Sequence, residues 1–365
     1  MEVLVLNKEF RAMTLLDNFE SLIWTERYLG AGDFEFYTPM TRDLFDACGV
    51  GYYLWMKDSD RVMIIEDRQI STDVERGNYM IISGRSLESI LDRRIVWEQT
   101  ILQGKIVNMI ERLLNENVIK PSISARKISN FVYKKTTDPD ILEMTISKQF
   151  TGDNLYDALI ELCSMRNIGF KITLNDQNQF VFELYKGVDR SYDAPFNTSY
   201  VVFSPKFDNV ITSNYLESMT TLKNLTLVAG EDEGLVRRTY VVGEVNSSGL
   251  DRRELYTDAR DIQSETEEGP LSVGDYNALL AERGLEKLAE NKKTTAFDGA
   301  LETRGNFVYG EDFFIGDIVQ FVNEYGIEAK VRVTEFIRSQ DLTGYNTYPT
   351  LEIIDEDDSN GGDQV

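Results

Sequence analysis

Residues 21–39, "SLIWTERYLGAGDFEFYTP", contain two aromatic-rich runs on either side of a glycine loop. Successive side chains of a β-strand point to opposite faces, and both runs alternate in this way. Leu22, Trp24 and Glu26 share one face of the first run, and Phe34 and Phe36 share one face of the second. The stretch therefore predicts two neighbouring strands, and the nature of the loop decides how they are joined.

The loop itself reads Gly30-Ala31-Gly32-Asp33. Dinucleotide sites use G-x-G-x-x-G between a strand and a helix, where the free N–H groups of the helix bind phosphate. A second strand pattern follows here instead of a helix, so the phosphate-binding interpretation loses its mechanism. We predict a hairpin turn in which the glycines supply positive φ angles, while Arg27 and Asp33 hold the turn or a subunit contact.

Histidine is absent from the 365 residues. This excludes Ser-His-Asp and Cys-His triads, imidazole proton transfer and the usual catalytic zinc spheres. Only two cysteines are present, so neither a disulfide framework nor a cysteine-based zinc site is expected. Cys163 lies on an apolar helical face and is predicted to be a buried free thiol.

The formal net charge is -24. A nucleic-acid-binding surface needs a basic field, so we expect no stable nucleic-acid binding. The hydrophobic content of 42% supports a folded chain, whose length favours more than one domain. No apolar run is long enough to span a bilayer and the N-terminus lacks signal-peptide features, which favours assembly in the cytoplasm without a membrane span.

The predicted fold class is α+β, mainly β, with three domains and a tail. Short strand patterns fill residues 1–95, as in an antiparallel barrel or sandwich, and residues 201–355 return to this texture around one helix. Residues 96–200 predict an α+β domain with two helices and a hairpin, whose second helix starts at Asp153 and ends at Gly169. Residues 356–365 predict a disordered acidic tail. The two strand-rich ends are interpreted as related β-barrel domains that flank the α+β domain.

Sites of chemistry are not evident in the sequence. Neighbouring carboxylates could support glycoside hydrolysis, but 62 acidic residues make such neighbours common by chance. We predict no catalytic, cofactor-binding or metal-binding residue and no cofactor. Trp24 and Trp55 lie in strand patterns that favour the core, which counts against an exposed sugar-binding groove.

The strand that starts at Gly316-Asp317 and turns back at Tyr325-Gly326 predicts a long β-hairpin suited to packing or subunit pairing. The structural or assembly candidates are Trp24, Arg27, Gly30, Gly32, Asp33, Phe34, Gly316 and Asp317.

An ordered set of stretches over residues 2–355 resembles tail-tip or baseplate hub proteins of long-tailed (siphovirus-type) bacteriophages and prophages of Gram-positive bacteria. The stretches that carry the resemblance are "WTERYLGAGDFEFYTP", "GRSLESILDRRIVW", "TGDNLYDALIELC", "FSPKFDNVITSNY", "KNLTLVAGE", "RRELYTDARD", "RGLEKLAE" and "YGEDFFIGDIVQFVNEYGI".

The resemblance implies a structural, non-enzymatic protein of the virion. Such hubs form a ring, here a trimer, in which two barrel domains per chain imitate the tail tube. The implied partners are the distal tail or tube protein, the tape-measure protein and a fibre or receptor-binding protein. The acidic charge would then keep DNA from binding to the wall that it passes during genome ejection. Two alternatives remain, a receptor-binding protein for host wall polysaccharide and a carboxylate-based wall hydrolase.

Overall fold

The computed structural model describes residues 1–73, 77–266, 269–298, 301–302 and 305–354. The predicted acidic tail, 356–365, lies outside these residues. Strands prevail over helices, which confirms the prediction of a mainly β chain. The helices of the described residues are α1 (Arg42–Ala47), α2 (Ile106–Leu114), α3 (Pro139–Glu143), α4 (Leu155–Ser164) and α5 (Val273–Ala289).

The strands of the described residues are short and are spread over the whole chain. In the first half they are β1 (Val3–Leu6), β2 (Ala12–Leu16), β3 (Ser21–Arg27), β4 (Asp33–Pro39), β5 (Tyr53–Met56), β6 (Val62–Asp73), β7 (Gly77–Ser86), β8 (Thr100–Lys105), β9 (Phe131–Lys134), β10 (Thr145–Phe150), β11 (Gly169–Leu174) and β12 (Phe180–Tyr185). In the second half they are β13 (Val202–Phe203), β14 (Asn214–Ser218), β15 (Leu225–Ala229), β16 (Thr239–Gly243), β17 (Glu254–Asp258), β18 (Glu265–Thr266), β19 (Gly269–Pro270), β20 (Thr294–Asp298), β21 (Ile318–Val322), β22 (Glu328–Asp341) and β23 (Gly344–Ile353).

One large sheet joins the two ends of the chain. Its order is β13-β21-β22-β3-β4-β7-β6-β5-β1-β2, and β23 also pairs with β22. The joint is the antiparallel pairing of β3 with β22, in a register that sets Arg27 opposite Glu335 and Ser21 opposite Asp341. Among the described residues this path is open and no closed barrel is found, so the two-barrel arrangement stays a prediction.

The alternation in the opening stretch places its aromatic side chains in a core. Leu22, Trp24, Phe34 and Phe36 are all buried in one cluster with side chains of the neighbouring strands. Trp24 lies opposite Phe34 across the β3–β4 pair. The prediction for the second tryptophan is wrong, because Trp55 of β5 points away from this core and is 40% exposed.

Residues 96–200 contain the two predicted helices, α2 and α4, and also the short helix α3, which the prediction of two helices omits. Helix α4 starts one residue later than predicted, because the side chain of Asn154 caps the N–H of Tyr156 at 2.8 Å. Asp153 instead accepts a hydrogen bond from the backbone N–H of Thr151 at 2.7 Å. Strands β11 and β12 form the predicted antiparallel hairpin, and Cys163 is a buried free thiol as expected.

A smaller unit packs helix α5 against the sheet of β16, β15 and β17. Gly284 lies in the middle of α5, where glycine normally weakens a helix. The position of Gly284 requires a residue without a side chain, because an added Cβ would come within 2.6 Å of Val242 and 2.9 Å of Val228. The absence of a side chain lets the helix approach the sheet closely. Further along the chain, β21 and β22 form the predicted C-terminal hairpin.

Candidate functional site

The loop after β3 is a hairpin connection, as predicted, but it is buried rather than exposed. Strands β3 and β4 pair antiparallel on either side of it. The backbone N–H of Ala31 donates to the hydroxyl of Tyr156 at 2.7 Å, and the N–H of Gly32 donates to Oγ of Ser86 at 2.8 Å. Because both N–H groups already donate to side chains of the protein, they are not available to bind a phosphate.

The two glycines of this loop answer different requirements. Gly30 has φ of +90°, a conformation that side chains rarely adopt. Gly32 has no positive φ, so the prediction that both glycines supply positive φ angles is wrong for this one. It is required by crowding instead, because an added Cβ would lie 2.0 Å from the backbone oxygen of Thr25. Gly30 therefore permits the backbone conformation of the turn, and Gly32 permits the close approach of the backbone to Thr25.

Arg27 holds the turn as the sequence predicts. Its guanidinium pairs with Asp33 at 2.7 Å and donates to the backbone oxygen of Ala31 at 2.9 Å. It also pairs with Glu335 of β22 at 2.6 Å, a contact that the sequence pattern did not indicate. A partly exposed arginine thus ties the hairpin to the C-terminal strand.

Tyr28, the first residue after β3, lies where three parts of the chain meet. Its N–H donates to the oxygen of Thr334 at 2.8 Å, and its hydroxyl donates to the oxygen of Asn167 at 2.9 Å. Added Cβ atoms on Gly169 and Gly316 would lie 2.6 Å and 2.5 Å from its ring. Burial raises the pKa of Tyr28 to about 12. Gly316, one of the assembly candidates, therefore lies beside the ring of this tyrosine of the opening stretch.

Asp317, the neighbour of Gly316, is buried and fixes the start of β21. It accepts hydrogen bonds from the N–H of Val188 at 2.7 Å and from Nε of Arg190 at 2.7 Å. Trp24 and Phe34 are core residues with no polar role among these contacts. The assembly role of the eight predicted residues stays a prediction.

Sequence reasoning missed a set of buried charges beside this loop, which we call the charged cluster: Glu26, Arg61, Glu88 and Arg338. Each of the four is at most 5% exposed. Glu26 pairs with Arg338, accepts from Oγ of Ser59 at 2.6 Å and accepts from the hydroxyl of Tyr309 at 3.1 Å. Both of its carboxylate oxygens are therefore hydrogen-bonded.

The second pair of the charged cluster bridges to the α+β block. Arg61 pairs with Glu88 at 2.8 Å and donates to the hydroxyl of Tyr185 at 3.1 Å. Glu88 also accepts from the N–H of Ile172 at 2.9 Å and from Oγ of Ser86. Burial alone would lower the pKa of Arg61, but Tyr185 and Glu88 outweigh it and raise that pKa further. The guanidinium is held permanently charged.

A cavity of about 370 Å³ opens beside the charged cluster. Asp60 and Lys171 lie at its wall and pair at 2.5 Å. Burial favours a raised pKa for Asp60, but Arg61 and Lys171 lower it below its usual value. The carboxylates of the cluster are each committed to an arginine and to further donors. The arrangement fits a polar joint between segments better than acid-base chemistry, which needs a group poised to exchange a proton.

The strand pattern did contain a signal for the charged cluster. Glu26 shares a strand face with Leu22 and Trp24. If that face is buried, as its tryptophan suggests, the charge of Glu26 is buried with it. A buried carboxylate then requires a cationic partner. That partner is Arg338, which lies about 300 residues further along the chain. The periodicity of a strand does not indicate which distant residue will pair with it.

Neither a metal centre nor a membrane-crossing helix is found in the part of the chain that the structure describes. There, no three carboxylate or cysteine groups converge as metal ligands would. The described helices also fall short of the length and apolar character needed to cross a bilayer.

Three solved structures that share the fold over nearly the whole chain are tail proteins. The 43 kDa tail protein of prophage MuSo2 from Shewanella oneidensis is 12% identical, with a TM-score of 0.57 over 98% of this chain and 99% of that one. A tail protein from Neisseria meningitidis MC58 is 14% identical, with a TM-score of 0.55 over 96% and 95%. Prophage tail protein gp18 from Listeria monocytogenes EGD-e is 12% identical, with a TM-score of 0.53 over 96% and 94%.

The fold is therefore that of the phage and prophage tail proteins. The family model of the Siphovirus ReqiPepy6 Gp37-like proteins matches residues 2–350, and the chain belongs to that family. No sequence among curated proteins matches it significantly. The resemblance drawn from the sequence is thereby confirmed at the level of tail proteins of siphoviruses.

Proposed function

We propose that this chain is a tail-tip or baseplate hub protein that assembles as a trimeric ring in the virion and links the tail tube to distal components. The observation that carries the proposal is the likeness to tail proteins over nearly the full length of both chains, together with membership of a siphovirus tail family. Two barrel-like domains per chain would let three copies match the six-fold tube above.

The joint between the chain ends supports a mechanical role. The β3–β22 pairing, Tyr28 and the charged cluster hold three segments together with hydrogen bonds and ion pairs that are mostly shielded from water. A tail protein that must keep its shape while DNA leaves the particle needs segments that are joined rigidly in this way. The charge of -24 supports a lumen that DNA passes without adsorbing.

The proposed role is structural rather than enzymatic. In the charged cluster, each glutamate is paired with an arginine and accepts further hydrogen bonds. A glycosidase instead needs one carboxylic acid and one free carboxylate on either side of a bond. Purified protein is accordingly expected not to clear peptidoglycan at any pH, and clearing that an acidic-residue substitution abolishes would reverse this assignment.

A second candidate function is binding of host wall polysaccharide. The exposed ring of Trp55, at 40%, favours it, since aromatic faces stack on sugars. Adsorption of purified protein to host cells that is lost in W55A would support this function over the hub.

The hub proposal is tested by native mass spectrometry of the purified chain and by imaging of particles with an antibody to it. We expect a trimer and label at the tail tip. A chain that stays monomeric at all concentrations, and label placed elsewhere on the particle, would together overturn the proposal.

A further inference from the structure

A surface groove on the α+β block lies apart from the charged cluster and has a different composition. Its volume is about 430 Å³. We call it the arginine-tryptophan groove, and its principal residues are Arg93, Arg94, Ile95, Trp97, Ile123 and Arg126. The segment 93–97 precedes β8 and the segment 123–126 follows α2, so two separate stretches of chain form its walls.

The arginines of this groove differ from Arg61 and Arg338 of the charged cluster, which pair with glutamates. Within the described ranges, no carboxylate lies within ion-pair distance of Arg93, Arg94 or Arg126, although the chain has 62 acidic residues. Asp92 at the edge of the groove is already paired with Arg85 at 3.1 Å. The groove is thus a local positive site on an acidic protein.

Two of these guanidinium groups are held in place by the backbone. Arg94 donates from Nε to the oxygen of Arg126 at 3.0 Å, and Arg126 donates to the oxygen of Ile95 at 2.6 Å. Burial and the nearby charge of Arg94 lower the pKa of Arg126, and the smaller opposing effect of Glu98 does not cancel them. An anion that entered the groove would relieve this crowding of like charges.

The groove also has an apolar surface between the cations. Trp97 is 55% exposed, and Ile95 and Ile123 are each 41% exposed. The guanidinium of Arg126 lies 5.0 Å from the centre of the Trp97 ring. Tryptophan and arginine are the residues that dominate binding energy at protein interfaces, particularly around an apolar centre.

We propose that the arginine-tryptophan groove is a docking site for an acidic polypeptide segment of a protein partner, with apolar side chains that contact Trp97 and the isoleucines. Charge complementarity selects the acidic segment. A neutral polysaccharide is disfavoured because it offers no charge to the three arginines, which outnumber the one carboxylate of the lining, Asp92. The inference does not depend on whether the chain forms a ring.

The test uses a fluorescein-labelled 12-residue peptide of alternating glutamate and leucine, with fluorescence anisotropy on the purified full chain. We expect saturable binding that weakens at least tenfold in R93E and W97A. Arg93 is suited to this test because it is exposed and its side chain forms no hydrogen bond or ion pair with any of the residues that the structure describes. R42E is the matched control, since Arg42 is an exposed arginine on α1 and its reversal changes the net charge equally.

Several outcomes would overturn the proposal. These are equal binding by the wild type and R93E, equal weakening by R42E, and equal binding of a peptide in which lysine replaces glutamate. A poly(glycerol phosphate) probe that binds through Arg93 where the peptide does not would assign the groove to a phosphate polymer instead. Circular dichroism of each variant verifies that the fold is kept, and R93E alone decides the matter if W97A unfolds.

Discussion

Arginine performs two opposite tasks in the charged cluster and in the arginine-tryptophan groove. In the cluster, Arg61 and Arg338 are buried against glutamates and bind segments of the same chain together. In the groove, Arg93 and its neighbours are on the surface without carboxylate partners among the described residues. The difference shows that position and pairing, rather than residue type, separate an arginine that holds the fold from one that is available to another molecule.

The largest effect is expected from the glycine that closes the loop beside the charged cluster. In G32A the new Cβ would meet the backbone oxygen of Thr25 at 2.0 Å, which β3 can relieve only by moving away from its partners. We expect loss of soluble folded protein, measured by expression yield and circular dichroism. G305A is the control, because its Cβ has ordinary contacts at 3.6 Å and no positive φ. Normal folding of G32A would show that the turn can open without cost.

The next effect is expected within the charged cluster. E88Q removes the partner that pairs with the buried Arg61 at 2.8 Å and leaves only the longer contact with Asp60 at 3.7 Å. Breaking a buried pair costs about 3–5 kcal/mol, and we expect the lower end of that range here. E335Q removes a partner of the half-exposed Arg27, where the loss is expected at about 1 kcal/mol or less. Urea unfolding followed by fluorescence gives both values. Equal losses in the two variants would contradict the distinction between buried and exposed arginines.

Alkaline pH tests the tyrosine at the same joint. The pKa of Tyr28 is raised to about 12 in the folded chain, above its usual value of 10.0, so folding favours its protonated form. This contribution is complete below pH 10 and is lost as the pH rises from 10 to 12, by up to ~1.4 kcal/mol per pH unit for one tyrosine. We expect Y28F to have a shallower fall in the free energy of unfolding over this range. An identical pH dependence in Y28F and the wild type would show that the titration of Tyr28 does not contribute to the loss of stability at alkaline pH.

The smallest effect on stability is expected in the arginine-tryptophan groove. R93E removes no hydrogen bond or ion pair that the structure shows, and surface changes of this kind stay within about 0.5 kcal/mol. Urea unfolding of R93E should therefore match that of the wild type while peptide binding falls. A clear loss of stability would mean that Arg93 serves the fold, and the contrast between the two arginine sets would fail.

Local elements could be predicted from the sequence because their signals are local. The alternation of Trp24 and Phe34, the glycine turn and the β11–β12 hairpin all depend on neighbours within a few residues. Trp55 shows the limit, since its strand was correctly predicted but the face that it occupies was not. In a short strand with apolar residues on both faces, alternation does not tell which face is buried.

The candidate site was less predictable because its contacts are distant in sequence. The sequence predicts that Arg27 and Asp33 hold the turn or a subunit contact. It does not predict Glu335, Arg338 and Tyr309, which enter the same region from about 300 residues further along. The pattern identifies a strand but not its partner strand. The single sheet that joins both ends of the chain could not be inferred for this reason.

The pairing of β3 with β22 also has a consequence for how the chain is made. Strand β3 stays a free edge during translation until residues 328–341 have left the ribosome, because its neighbour is β22. Such late, long-range closure gives a high contact order and slow folding. An exposed strand edge can meanwhile pair with another chain. Nascent chains that stop before β22 should therefore aggregate through β3. The time between the synthesis of β3 and that of β22 determines how long each chain can aggregate in this way.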